Sequence, residues 1–332
     1  MNRDKQIKFS MLMILAFAFL GCAEVNSVVK EFTQSHRNVI VIQRDGLEIG
    51  IWPEAGGRAV TFKREGSPNI LDNTVLSTEY QLPMPEADTP WQNLKGHIVW
   101  VGPQSDFWSQ QNVNPRANVR KAIWPPDPFS ELGRYIVIDQ DSAFVELRGP
   151  VSPVTGLQLT KRYELLSGQK ARLTVTAKNM RNQPVSWGLW SNTRVHTDAI
   201  AYVHLDSLNA VRYEQNSKSV EFDQAAHAFR IEGDEIFTIP SYERDRDNKG
   251  LATKAQISMR DAVIHAVIGA WIFTKQRITP TNAIHPQHSD IEIYVDNHME
   301  SPILELEMHG DYQLIDPRES IQWSEEWQLT ER

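Results

Sequence analysis

The chain has 332 residues, with 34 Lys and Arg against 42 Asp and Glu and a formal charge of −8. A net acidic chain with scattered basic residues carries no electrostatic footprint for a phosphate backbone, which excludes nucleic acid as the expected partner. Apolar residues at 41% and charged residues at 23% are ordinary globular proportions, and the single cysteine, Cys22, excludes an internal disulfide and a cysteine-based zinc site.

At the N-terminus, Arg3, Lys5 and Lys8 precede Met11–Leu20, an unbroken apolar run of ten residues. Such a run is too short to cross a bilayer as a helix and has the length of a signal-peptide core. It ends in Phe19-Leu20-Gly21-Cys22, which resembles the lipobox of bacterial lipoproteins. The expectation is a signal peptide over 1–21, lipidation at Cys22, and a polar tether over 22–37. The membrane would then be a partner through the lipid anchor. Ala23 and Glu24 stand where an inner-membrane retention signal would place Asp, so within the bacterial cell envelope the outer membrane is favoured over the inner. The alternative is an ordinary cleaved signal peptide with an inconsequential thiol.

From Asn38 onward, short runs rich in Val, Ile, Thr and aromatics alternate with Gly, Pro, Asn and Asp. That is the pattern of antiparallel strands and tight turns. Strands are predicted at Val39–Arg44, Leu47–Trp52, Arg58–Lys63, His97–Val101, Arg134–Asp139, Ala143–Arg148, Leu157–Leu165, Arg172–Asn179 and Val185–His196. Further ones follow at Ala255–Met259, Ala262–Phe273, Ile291–Asp296, Ile303–Met308 and Ile321–Leu329. No composition break divides them, so 38–332 is read as one all-β domain, a large antiparallel β-sandwich. Tyr80–Asn93 and Gln104–Glu131, rich in proline and tryptophan, read as long loops over the sheet, where function tends to reside.

Nucleophile elbows, phosphate loops and dinucleotide fingerprints are absent from the sequence. Asp245–Gly250 mimics the start of a calcium loop but places Lys249 at a ligand position and reads as a solvated turn. His285, His288 and Asp290 read as a surface turn rather than a metal cluster, so no metal and no cofactor is expected. Two strands carry polar rows. In Val185–His196, alternation sets Trp190, Asn192, Arg194 and His196 on one face, a combination that can stack on and hydrogen-bond to a sugar ring. In Ile303–Met308, Glu305 and Glu307 share the face opposite Leu304, Leu306 and Met308. Two carboxyls on one strand face either water or a cleft, and in a cleft each raises the other's pKa.

Leu47–Arg58, with its Gly56-Gly57-Arg58 turn, resembles the opening of galactose mutarotase-like proteins. Gly96–Gln104, Trp124-Pro125-Pro126, Gly156–Leu159, Leu304–Glu307, Asp316–Ser320 and Trp327 continue the resemblance, most closely to an uncharacterised bacterial branch of that superfamily. It implies a β-supersandwich with a carbohydrate cleft. Aldose 1-epimerases of the superfamily pair a His acid with a late-strand Glu base, for which Glu305 is the best match and Glu307 the competitor. Arg58 resembles the sugar-contacting Arg. The acid position is open between His196 and His97, because Asn192 is followed by Thr193 where the family has His. An enzyme, a glycan-binding module using Trp100, Trp108, Trp124 and Trp190, and a ligand-free scaffold therefore remain open. A His facing Glu305 across the cleft would favour the enzyme, and with no His near Glu305 the His/Glu enzyme reading fails. Oligomeric state is not legible.

Overall fold

The computed structural model describes residues 30–34, 37–77, 81–167, 169–244, 251–297 and 302–332. The expected signal peptide over 1–21, Cys22 and the calcium-loop-like Asp245–Gly250 lie outside these residues. Almost all of the regular structure is antiparallel strand, in two sheets. The first runs in spatial order Lys30–Gln34, Arg37–Arg44, Leu47–Trp52, Arg58–Arg64, His97–Gly102, Val185–Val195, Ile303–His309, Ile291–Asp296, Ala252–Ile257, Val211–Gln215 and Lys218–Val220, with Gln313–Ile315 paired off this path to Val185–Val195. The second runs Phe229–Glu232, Glu235–Thr238, Ile200–His204, Val263–Ile268, Trp271–Arg277, Ser320–Glu331, Lys170–Asn179, Leu157–Leu166, Phe144–Val151 and Ile136–Gln140. The sheet begins inside the stretch expected to be a tether, since Lys30–Gln34 pairs with Arg37–Arg44.

The sheets pack face to face over one continuous apolar core. Ile49, Trp187, Leu189, Leu304 and Leu306 of the first sheet join Tyr163, Val175, Phe273, Trp327 and Leu329 of the second. Phe62 crosses the interface with ring centroids 5.7 Å from Phe273 and 5.3 Å from Trp327, both edge-on, an arrangement aromatic quadrupoles favour. The strict alternation of Leu157–Leu166 and Lys170–Asn179 puts one face of each in this core and the other at the surface.

A buried polar network lies within the same interface. The Glu325 carboxylate accepts hydrogen bonds from Ser191 Oγ, Trp323 Nε1 and Trp327 Nε1. Lys275 Nζ donates to Thr193 Oγ1 and to the Leu306 carbonyl, each at 2.9 Å, and His97 Nδ1 lies 2.8 Å from the same Thr193 hydroxyl. Burial, and then the Lys275 charge, holds His97 well below its ordinary pKa.

Beside shifts of a few residues at strand ends, two larger departures from expectation stand out. Ala262–Phe273 is two strands, Val263–Ile268 and Trp271–Arg277, because Gly269 takes a left-handed φ of 59° and turns the chain into a hairpin. The stretch from Ile200 to Thr238, for which no strand is predicted, contributes five of three to five residues each.

Candidate functional site

The outer face of the first sheet, away from the core, is polar across five strands. In one cross-strand row Arg194 lies beside Glu305, Glu305 beside Tyr294, Tyr294 beside Lys254, and Lys254 beside Glu214. The next row holds Ile98, Asn192, Glu307, Glu292 and Gln256, and a third holds Trp100, Trp190 and His309. Period-two alternation is the whole reason these side chains meet on one surface. Loops close over them. A cavity of about 240 Å³ is lined by Trp91, Trp100, Gln104, Trp124, Trp190, Glu214, Asn216, Ser217, Ala252, Lys254, Tyr294, Asp296, Ile303, Glu305 and Glu307. Trp91 and Trp124 come from the two proline-rich loops, and Asn216 and Ser217 form the turn of the Val211–Val220 hairpin, both at positive φ.

The four tryptophans are contiguous. Ring centroids lie 5.1 Å apart for Trp100 and Trp190, 6.2 Å for Trp100 and Trp124, and 5.2 Å for Trp91 and Trp124. Arg194 sits behind this wall, its guanidinium carbon 5.6 Å from the Trp91 ring and 5.4 Å from Trp100, with Nε donating to Glu305 Oε1 at 2.6 Å. Asn192 also lies behind it, donating from Nδ2 to Glu307 Oε1 at 3.0 Å.

Charge on the carboxylate wall is sorted by partner. Burial alone would raise Glu305, but Arg194 and its hydrogen bonds hold it below the ordinary carboxylate value, so it is ionised. Lys254 Nζ is 2.5 Å from Glu292 Oε2 and 2.9 Å from Glu307 Oε2. Burial would lower this ammonium, yet the ionised Glu292 holds it above its ordinary value, and it in turn keeps Glu292 charged. Glu307 is pushed well above the carboxylate range by burial, against the pull of Lys254, with the charges of Glu305 and Glu292 adding to the rise. It is therefore the protonated member, in hydrogen-bond contact with the ionised Glu305.

Beneath the wall, the Gly56-Gly57-Arg58 turn acts as a bracket. Gly56 and Gly57 have φ of 72° and 59°, and a Cβ on Gly56 would stand 2.7 Å from the carbonyl oxygens of Ser130 and Glu131. Lys161 Nζ and Tyr163 Oη donate to the Gly56 and Gly57 carbonyls at 2.7 and 2.8 Å. Arg58, fully buried, donates to Glu131 Oε1 at 2.7 Å and to the Lys95 carbonyl at 2.6 Å, and Glu131 Oε2 accepts from Trp100 Nε1 at 2.5 Å. Arg58 thus orients Trp100 from behind and does not line the cavity, which corrects its assignment as a sugar contact.

The histidine positions need the same correction. His97 pairs in register with Thr193 on the inner face and points into the core, on the opposite side of the sheet from Glu305. His196 lies past the end of the Val185–Val195 strand with Nε2 3.1 Å from the Asn69 carbonyl, and it is not a cavity residue. Among the described residues, no histidine lines the cavity opposite Glu305. Trp108 is buried, its Nε1 donating to the Pro125 carbonyl, and is also outside it. Trp100, Trp124, Trp190, Glu305 and Glu307 do line it. Trp91, Tyr294 and Lys254 were not singled out by sequence.

His285, His288 and Asp290 do not gather. His285 packs edge-on against Tyr312, and Asp290 takes a 2.7 Å hydrogen bond from Arg277. His288 instead stacks on His309, ring centroids 4.1 Å apart, beside Glu292 and behind Trp190. Burial, then the neighbouring His288, pushes His309 down to about 3.

Among solved structures the fold resembles a galactose mutarotase-like protein from Clostridium acetobutylicum at 12% identity and a TM-score of 0.55, over 92% of this chain and 99% of that one. An aldose epimerase homologue from C. elegans matches at 9% identity and 0.52, over 89% and 99%. A TPR-domain containing protein from Parabacteroides distasonis matches at 13% identity and 0.56, covering 89% of this chain but only 47% of the other, so the chain spans about half of that protein. At these identities the likeness establishes the galactose mutarotase-like sandwich fold. No curated protein matches the chain in sequence. Residues 38–330 match the model of one family, and the chain belongs to it: the family described as Domain of unknown function (DUF4380).

Proposed function

We propose that the cleft binds a carbohydrate, with one sugar ring held against the tryptophans and its hydroxyls hydrogen-bonded by Glu305 and its polar neighbours. The observation that carries this reading is the contiguous Trp91, Trp100, Trp124 and Trp190 surface facing a carboxylate wall across one cavity. Aromatic faces cover the C–H face of a sugar, while the carboxylates accept from its hydroxyls. At about 240 Å³ the cavity falls below the ~300–1,000 Å³ of pockets for drug-sized ligands, which suits a single ring. Trp124, 42% exposed at the rim, is the cleanest probe. Trp124→Ala should weaken the best ligand of a glycan array about thirty-fold, the ~2 kcal/mol of a tryptophan hot spot, with unchanged circular dichroism. Absence of binding to any glycan on the array would refute the reading.

A second reading, catalysis on that sugar, is favoured by the contact between an ionised Glu305 and a protonated Glu307, the split that defines a base and an acid. Both carboxyls stand on one strand, whereas opening a hemiacetal needs groups on both sides of the ring. Optical-rotation equilibration of a fresh aldose anomer decides it: acceleration abolished by Glu305→Gln supports an aldose 1-epimerase-like isomerase, and no acceleration leaves a binding protein.

The same proposal places the protein on the bacterial cell envelope, acylated at Cys22, supported by the basic flank and apolar run before that residue. Labelled palmitate should enter the full chain and not Cys22→Ser; equal labelling of both would refute anchoring there.

A further inference from the structure

We propose that His288, Glu292 and His309 form a binding site for a divalent transition-metal ion of the zinc class, seated behind Trp190. Each offers a ligand atom, and the three atoms lie within 4.8 Å of one another. Glu292 Oε1 is 3.0 Å from His288 Nδ1 and 3.5 Å from His309 Nε2. Donor separations of that order are what a tetrahedral ion with bonds of roughly 2.0–2.2 Å to imidazole nitrogen and carboxylate oxygen requires.

The surroundings supply what a ligand set needs and what a hydrogen-bonded trio does not. Glu292 is fully buried, and its other oxygen is held by Lys254, so the carboxylate is oriented as ligating carboxylates are by their outer partners. His309 is 3% exposed and its Nε2 has no hydrogen-bond partner, although it stands next to a carboxylate oxygen. A buried ring nitrogen left unpaired costs free energy, and an ion in front of it removes that cost. Two imidazoles and one carboxylate form a borderline donor set, suited to zinc and its neighbours rather than to calcium or magnesium. Three protein ligands leave a fourth position open. The ion would join the Ile303–His309 strand, the Ile291–Asp296 strand and the turn before it. This proposal does not depend on sugar binding.

The test uses the chain stripped of metal by a chelator and dialysed. Titration with Zn2+ against a chromophoric chelator should show about one tight equivalent, and Tm should rise with free Zn2+. His288→Gln and His309→Gln should each lower the affinity more than tenfold. Co2+ bound to the unaltered chain should show the visible bands of a four-coordinate site, a readout that does not depend on either variant folding. The proposal is overturned by the absence of a tight equivalent, by Co2+ without those bands, or by folded variants that keep the affinity of the parent.

Discussion

Replacing Arg58 with methionine is expected to lower the free energy of unfolding by about 3–5 kcal/mol, the cost of leaving one partner of a buried ion pair alone. Arg58 and Glu131 are 0% and 2% exposed, and the variant leaves the Glu131 carboxylate with Trp100 Nε1 as its side-chain donor. It also frees the Lys95 carbonyl that Arg58 Nη1 binds. Removing both charges in Arg58→Met with Glu131→Gln should recover part of the loss, because no unpaired ion then remains. Urea unfolding of the two variants measures this, and a loss under about 1 kcal/mol for the single variant would contradict the bracket described for this turn. Ligand affinity should fall in the same variant, through the Trp100 ring that Glu131 orients.

The second large effect is a dependence of stability on pH. Burial, and then the Arg58 charge, lowers Lys161 from 10.5 to about 7. Between pH 7 and 10 the unfolded chain keeps this proton while the folded chain has lost it, so protonation favours unfolding and stability rises with pH. Below about pH 7 both states are protonated and the contribution is flat. At about 1.36 kcal/mol per unit, the rise from pH 7 to 10 is about 4 kcal/mol. Tyr135 and Tyr163, both raised by burial, act in the opposite direction only above their ordinary value of 10, which bounds the window. Chemical denaturation across pH 7–10 should show the rise in the parent and a smaller one in Lys161→Met, since burial lowers the Lys275 ammonium as well; parallel profiles would show that Lys161 does not titrate in the folded chain.

Alternation made much of the site face legible. Trp190, Asn192 and Arg194 on one strand, and Glu305 and Glu307 on another, stand on the cleft side because a strand's side chains alternate. The same rule carried a signal about His97 that the family resemblance obscured: His97 shares its face with the apolar Val99 and Val101, opposite Trp100. Lys254 and Tyr294 were not legible, because they reach Glu305 and Glu307 only through pairings between Ala252–Ile257, Ile291–Asp296 and Ile303–His309, whose register no local pattern states. The five short strands between Ile200 and Thr238 escaped for another reason. Val211–Gln215 and Lys218–Val220 bury few side chains, so the apolar alternation that marks a half-buried strand is weak there, whereas Ile200–His204 and Glu235–Thr238 alternate but are only five and four residues long.

The network of Glu325, Lys275, Thr193 and His97 has a consequence beyond the core it occupies. A slip of one residue in the Val185–Val195 strand would turn every side chain to the other face and carry Trp190, Asn192 and Arg194 inward. Apolar packing already opposes such a slip, since Trp187 and Leu189 would leave the core. The slip would also take Thr193 from the Lys275 ammonium and Ser191 from the Glu325 carboxylate, and each hydrogen bond lost at a buried charge adds to the cost. Polar side chains on the core face thus act as a registration key, and the composition of the cleft is specified from the reverse side of its own floor.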